Sequence, residues 1–89
     1  MKTVYKTSDS VRMEPVGERF VLFDLRTNLP FVLNRTAAQI VDLSDGSRSL
    51  EAVASTICRT YDIPYETAVK DTRQIYDQLS ANHVIQIVE

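Results

Sequence analysis

A chain of 89 residues, 44% hydrophobic and 25% charged, is one globular domain's worth, with a core that covers roughly 60–65% of its unfolded surface. No apolar run approaches the ~20 residues a membrane-spanning helix needs, and the polar start MKTVYKTSDS has no h-region, so a cytoplasmic protein is the expectation. The formal net charge is −2, split as six basic and four acidic side chains in residues 1–35 against four and eight in residues 36–89; neither half forms the basic stripe of a protein built to hold phosphates.

Residues 1–10 read as a flexible tail and 11–89 as the folded domain. Val11 and Met13 alternate with Arg12 and Glu14 as in a strand, and Pro15, Gly17 and Glu18 mark a turn. RFVLFDL, Arg19 to Leu25, is rich in aromatic and β-branched residues and reads as a buried strand. RTN, Arg26 to Asn28, is turn chemistry, because Asn tolerates the left-handed backbone of a tight hairpin. PFVL then returns as a short third strand; Pro30 donates no hydrogen bond, which suits a sheet edge.

Helix signals begin at Asn34 with no residues spent on a loop. Asn is a strong N-cap, Ala37, Ile40, Val41 and Ser44 recur at helical spacing, and Gly46 is the expected stop. Ser49 is placed to cap a second helix whose stripe is Leu50, Val53, Ala54, Ile57, Cys58 and Tyr61. DIP interrupts the pattern, and Pro64 opens a third helix, with Asn82 as its expected C-cap. Ala68, Thr72, Ile75 and Leu79 suffice for its core face. Val69, Arg73 and Tyr76 lie on one flank of that stripe, and Asp71 and Gln78 on the other. VIQIV, Val84 to Val88, closes the chain as a strand or extended tail. The expected class is α+β: a three-stranded antiparallel sheet followed by three helices, winged-helix-like.

Little of this chain is equipped for catalysis. One histidine (His83) and one cysteine (Cys58) allow neither an internal disulfide nor a structural zinc site. Cys58 lies on the buried stripe, His83 beside a helix end, and two glycines make no phosphate loop. Two binding readings remain. In a DNA-reading winged helix the third helix would enter the major groove, yet it sets Lys70 and Arg73 against Glu66, Asp71 and Asp77. In a peptide-binding module the third strand's open edge would accept a partner strand beside a helix.

LFDLRTNLPFVLNRTAAQIVDLSDGSRSLEAVA, followed by YDIPYETAVKDTRQIYDQLSANHVI, resembles the PqqD family. The matching features are Leu33–Asn34, Ala37–Ala38, Asp45–Gly46, Ser49, Asp71 and Leu79, within about Arg19 to Val88. Asn28 and Asn82–His83 depart from it, standing where glycine is frequent. The resemblance implies a non-catalytic peptide recognition element without cofactor or metal. Such a protein binds the leader of a ribosomally made precursor peptide as an added strand, between the third strand and third helix. It presents the peptide to a modifying enzyme, often a radical SAM protein, in pyrroloquinoline quinone synthesis or in lasso-peptide and related maturation. The expected groove is lined by Leu29, Phe31, Val69, Arg73 and Tyr76, with Lys70 meeting an acidic residue of the leader. The sequence leaves open a homodimer formed through a sheet edge.

Overall fold

The computed structural model describes residues 4–88. Six strands and three helices follow one another in the order β1 (Val4–Thr7), β2 (Val11–Val16), β3 (Arg19–Asp24), β4 (Pro30–Leu33), α1 (Arg35–Leu43), β5 (Asp45–Ser49), α2 (Leu50–Tyr61), α3 (Tyr65–Ser80) and β6 (Ile85–Val88). The fold is α+β, with two antiparallel three-stranded sheets, β2-β3-β4 and β5-β1-β6. The expected meander and three helices are present.

The second sheet was not anticipated, and it corrects the reading of the N-terminal segment. Val4–Thr7 is not a tail but the central strand of that sheet, paired with β6 over Val4↔Val88 to Thr7↔Ile85 and with β5 at Val4↔Ser49 and Lys6↔Asp45. Among the described residues the folded unit includes Val4–Thr7; residues 1–3 of the expected tail lie outside the described residues. Val, Tyr and Thr favour strands, but four residues are too few to settle one, and the partners of β1 come from far along the chain. Gly46 likewise is not the stop of α1. The helix ends at a Ser44 cap, and Gly46, at φ +89°, belongs to β5, where the Lys6 side chain passes over it. The C-cap of α3 is Ala81 rather than Asn82, whose side-chain amide donates to the Gln78 carbonyl.

The helices form where their apolar periodicity can be buried. Leu50, Val53, Ala54 and Ile57 of α2 are buried as spaced, with Cys58 and Tyr61 packed at the margin. Ala37, Ile40 and Val41 of α1 and Ala68 and Leu79 of α3 meet them, and Leu22 and Leu33 close the core from the sheet. Each such leucine or isoleucine contributes about 1.5–3 kcal/mol by leaving water. Asp62, left-handed at φ 53°, ends α2, and the Ile63 N–H returns to the Cys58 carbonyl.

Both serine and asparagine caps are made: Ser49 Oγ accepts from Ala52 N at 3.2 Å, and Asn34 Oδ1 from Ala37 N at 2.8 Å. Replacing Asn34 with Ala leaves a first-turn N–H without its partner. Urea denaturation should show a loss of about 1 kcal/mol, and Asn34→Asp should restore most of it.

Candidate functional site

Strand β4 hydrogen-bonds on one side only. Its partner is β3, in the register Phe20↔Leu33 to Phe23↔Pro30, and its other edge has no strand beside it among the described residues. An unpaired edge presents alternate backbone N–H and C=O groups outward, ready for another extended chain. The hairpin that leads into β4 is built as read: Asn28 is left-handed at φ 58°, and the Asp24 carbonyl accepts from the N–H groups of Thr27 and Asn28. Along β4 the pleat alternates. Phe31 is half-buried and Leu33 buried against the core, while Val32 is 68% exposed on the outer face. Leu29, just before the strand, is 48% exposed.

The chain then turns directly into α1. With Asn34 as the only residue between Leu33 and Arg35, and its side chain fastened to Ala37, the direction of the strand relative to the helix is set by one cap. At this corner a cleft of about 170 Å³ opens between the start of α1 and the middle of α3. Asn34, Thr36, Ala37 and Ile40 line one wall, and Asp71, Gln74 and Ile75 the other.

This places the expected groove residues in two groups. Leu29 lies just before β4 and Phe31 within it. Val69, Lys70 and Arg73 are absent from the cleft lining, and Val69 instead packs against the core. At about 100° per helical residue, Val69 and Arg73 lie on the side of α3 opposite Asp71 and Gln74.

Tyr76 is a correction. It is 1% exposed, its ring stacks on Tyr5 with centroids 4.1 Å apart, and its hydroxyl shares a 2.7 Å hydrogen bond with Ser44 Oγ. Burial pushes its phenol above the ordinary value, against the lowering effect of the Ser44 contact. A polar-tipped aromatic on a stripe margin fits either a groove or a core, and Tyr5, from the unanticipated β1, decided for the core. Gln74 and Ile75 line the cleft, where the sequence reading did not place them. Asp71 stands on the polar flank of the α3 stripe, opposite the more apolar flank of Val69 and Tyr76.

A larger cleft, about 590 Å³, lies at the other edge of the meander, between β2, β1 and the end of α1. Its polar groups are largely engaged with one another. Lys6 pairs with Asp9 at 3.6 Å, Arg12 donates to the carbonyls of Asp9 and Val11, and Asp45 is held below the usual carboxylate range by the Ser47 hydroxyl and N–H, with Arg48 adding to this. Both outer strands of the meander contain a proline, Pro15 in β2 and Pro30 in β4, so neither edge offers a full set of N–H donors.

Among the described residues no group of three or more His, Cys, Asp or Glu side chains is placed to hold a metal. His83, left-handed at φ 60°, uses its carbonyl to accept from Arg26 Nη2 at 2.8 Å, and Cys58 is half-buried against the core. No helix among the described residues is long and apolar enough to cross a membrane.

The family described as coenzyme PQQ synthesis protein D (PqqD) matches residues 19–85. The PqqA binding protein of Rhizobium meliloti (strain 1021) is 29% identical over 89 residues, covering 98% of this chain and 89% of its own. Among solved structures, TbiB1 in complex with the TbiA(beta) leader peptide superposes with a TM-score of 0.75 at 25% identity, over 91% of this chain and 94% of that one. The PqqD truncation of Methylobacterium extorquens PqqCD, a stand-alone recognition element for ribosomally synthesised and post-translationally modified peptides, shares the fold with a TM-score of 0.77 at 21% identity, over 93% of this chain and 88% of its own.

Proposed function

Because the chain belongs to the PqqD family, we propose that it is a non-catalytic, cytoplasmic peptide chaperone. It binds the leader segment of a ribosomally made precursor peptide and presents it to a modifying enzyme of the radical SAM or a related class. The observation that carries this reading is the unpaired β4 edge beside the α1–α3 cleft. A leader adding to that edge gains backbone hydrogen bonds along β4, and its side chains on the inner face reach Leu29, Phe31 and the cleft. The R. meliloti relative's binding of PqqA and the leader held by TbiB1 support the same reading. An ordered segment of this length loses chain entropy on binding, so an affinity of about micromolar or somewhat tighter is expected.

Amide NMR on the ¹⁵N-labelled chain tests this directly. Titration with synthetic PqqA, and with the leader of any precursor encoded beside this gene, should shift resonances from Leu29 through Ala37 and on the Asp71–Gln74–Ile75 side of α3. Shifts confined to α2, or none with any leader, would sink the proposal. The affinity should also vary weakly with salt. A DNA-binding winged helix would instead lose about 10³-fold or more between 50 and 200 mM salt, and the mixed charge of α3 already speaks against it. A homodimer paired through β4 would compete with the leader, so sedimentation with and without peptide separates the two uses of the edge.

A further inference from the structure

Resting on that reading, we infer that the α1–α3 cleft is a specificity pocket for one basic side chain of the bound peptide, selected by Asp71. The volume of about 170 Å³ suits a single side chain, since a cavity of about 150 Å³ takes up a benzene ring. Its floor is apolar, with Ala37 and Ile40 buried and Ile75 half-buried. The rest of the lining is polar, and Asp71 is its only ionisable group.

Asp71 is half-buried and, among the described residues, forms neither a salt bridge nor a side-chain hydrogen bond. Lys70 and Arg73, its neighbours in sequence, are exposed and do not pair with it.

A strand laid along β4 would cover the cleft and take more water from that carboxylate. An aliphatic occupant would leave a buried charge unpaired, and an acidic one would add repulsion. A lysine or arginine meets both halves of the pocket. Its methylene stem lies over Ala37, Ile40 and Ile75, and its head donates to Asp71, with arginine able to fork across both carboxylate oxygens. The pocket also fixes register. It sits where β4 ends in Asn34, so a basic residue anchored there determines which leader residues lie opposite Phe31 and Leu29.

A positional-scanning library of extended dodecamer peptides, read by fluorescence anisotropy against the full chain and its variants, tests this. The wild type should select Lys or Arg at one library position, and replacing that residue with norleucine should weaken binding about tenfold. Asp71→Asn, a near-isosteric change whose fold is checked by its amide spectrum, should abolish the preference while leaving peptide binding measurable. Asp71→Lys should turn it toward Asp or Glu. Unchanged selection in Asp71→Asn, or a wild-type preference for aliphatic or acidic residues throughout, overturns the pocket assignment and leaves the peptide-chaperone reading standing. Absence of binding by any library peptide or leader overturns both.

Discussion

Tyr76→Ala should remove a large share of the protein's stability, while Tyr76→Phe should keep most of it and bind leader as the wild type does. The ring is the largest of the fully buried side chains and stacks on Tyr5, so it joins α3 to the central strand of the second sheet. Truncating a buried aromatic to Ala costs about 3–5 kcal/mol. A domain of this size has roughly 4–13 kcal/mol in total, so the loss is a large share of its stability. Phe keeps the stacking and removes only the hydroxyl. Ser44 Oγ still donates to the Ile40 carbonyl at 2.7 Å, so no buried donor is stranded, and a cost of about 0.5–1.5 kcal/mol is expected. Urea denaturation of the two variants, paired with leader titration of Tyr76→Phe, distinguishes the roles. A folded Tyr76→Ala that had lost only peptide affinity would return Tyr76 to the groove.

The reason Tyr76 was misread also explains what else the sequence could and could not reveal. Features set by neighbours in the chain were legible: the meander from Val11 to Leu33, the Asn34 and Ser49 caps, the left-handed turn at Asn28, and the stripe of α2. Features set by distant partners were not. β1 pairs with β5 and β6, from about 40 and 80 residues further on, and although Val, Tyr and Thr favour strands, VYKT is too short to announce those partners. The same absence misled the assignment on α3. Without β1 there was no Tyr5 to cover Tyr76, and the apolar flank appeared free to line a groove. The edge strand and its corner were legible because proline, asparagine and the abrupt change of period are local signals. Which flank of α3 faces that corner depends on helix packing, and periodicity alone leaves it undetermined.

Packing alone does not hold the β4 edge in place, because the hairpin that carries it is anchored at its base by a buried charge. Asp24 ends β3 fully buried, and its carboxylate accepts from Ser10 Oγ at 2.6 Å, from the Arg26 N–H at 2.9 Å, and from Arg26 Nε and Nη2, the last at 2.6 Å. Arg26 Nη2 also donates to the His83 carbonyl, tying the hairpin to the turn between α3 and β6. β4 and α3, the two elements that frame the proposed peptide site, are thus linked through one guanidinium.

Arg26→Ala should therefore lower the urea midpoint markedly and weaken leader binding, since it leaves a buried carboxylate short of its principal donor. Arg26→Lys should recover only part of both, because a single ammonium cannot reproduce a fork that spans Asp24 and His83. Arg48→Ala, which breaks the solvent-exposed pair with Asp45, should leave the midpoint nearly unchanged. The acid limb of the stability profile gives an independent reading of Asp24. Hydrogen bonds from the Arg26 side chain first, then from Ser10 and the Arg26 backbone, hold its carboxyl well below the usual carboxylate range despite the opposing effect of burial. In the unfolded chain the group titrates near about 3.9. Below that value the unfolded state takes up a proton that the folded state refuses, so the stabilisation is complete above it and is lost as pH falls toward the depressed folded value. Asp45, also lowered, adds a slope of the same sign. The Asp24 contribution is therefore the difference between wild type and Asp24→Asn in urea midpoints measured from pH 5 downward. Asp24→Asn should be less stable at neutral pH and fall less steeply in acid. Parallel acid limbs in the two proteins would show that Asp24 does not anchor the hairpin as a charge.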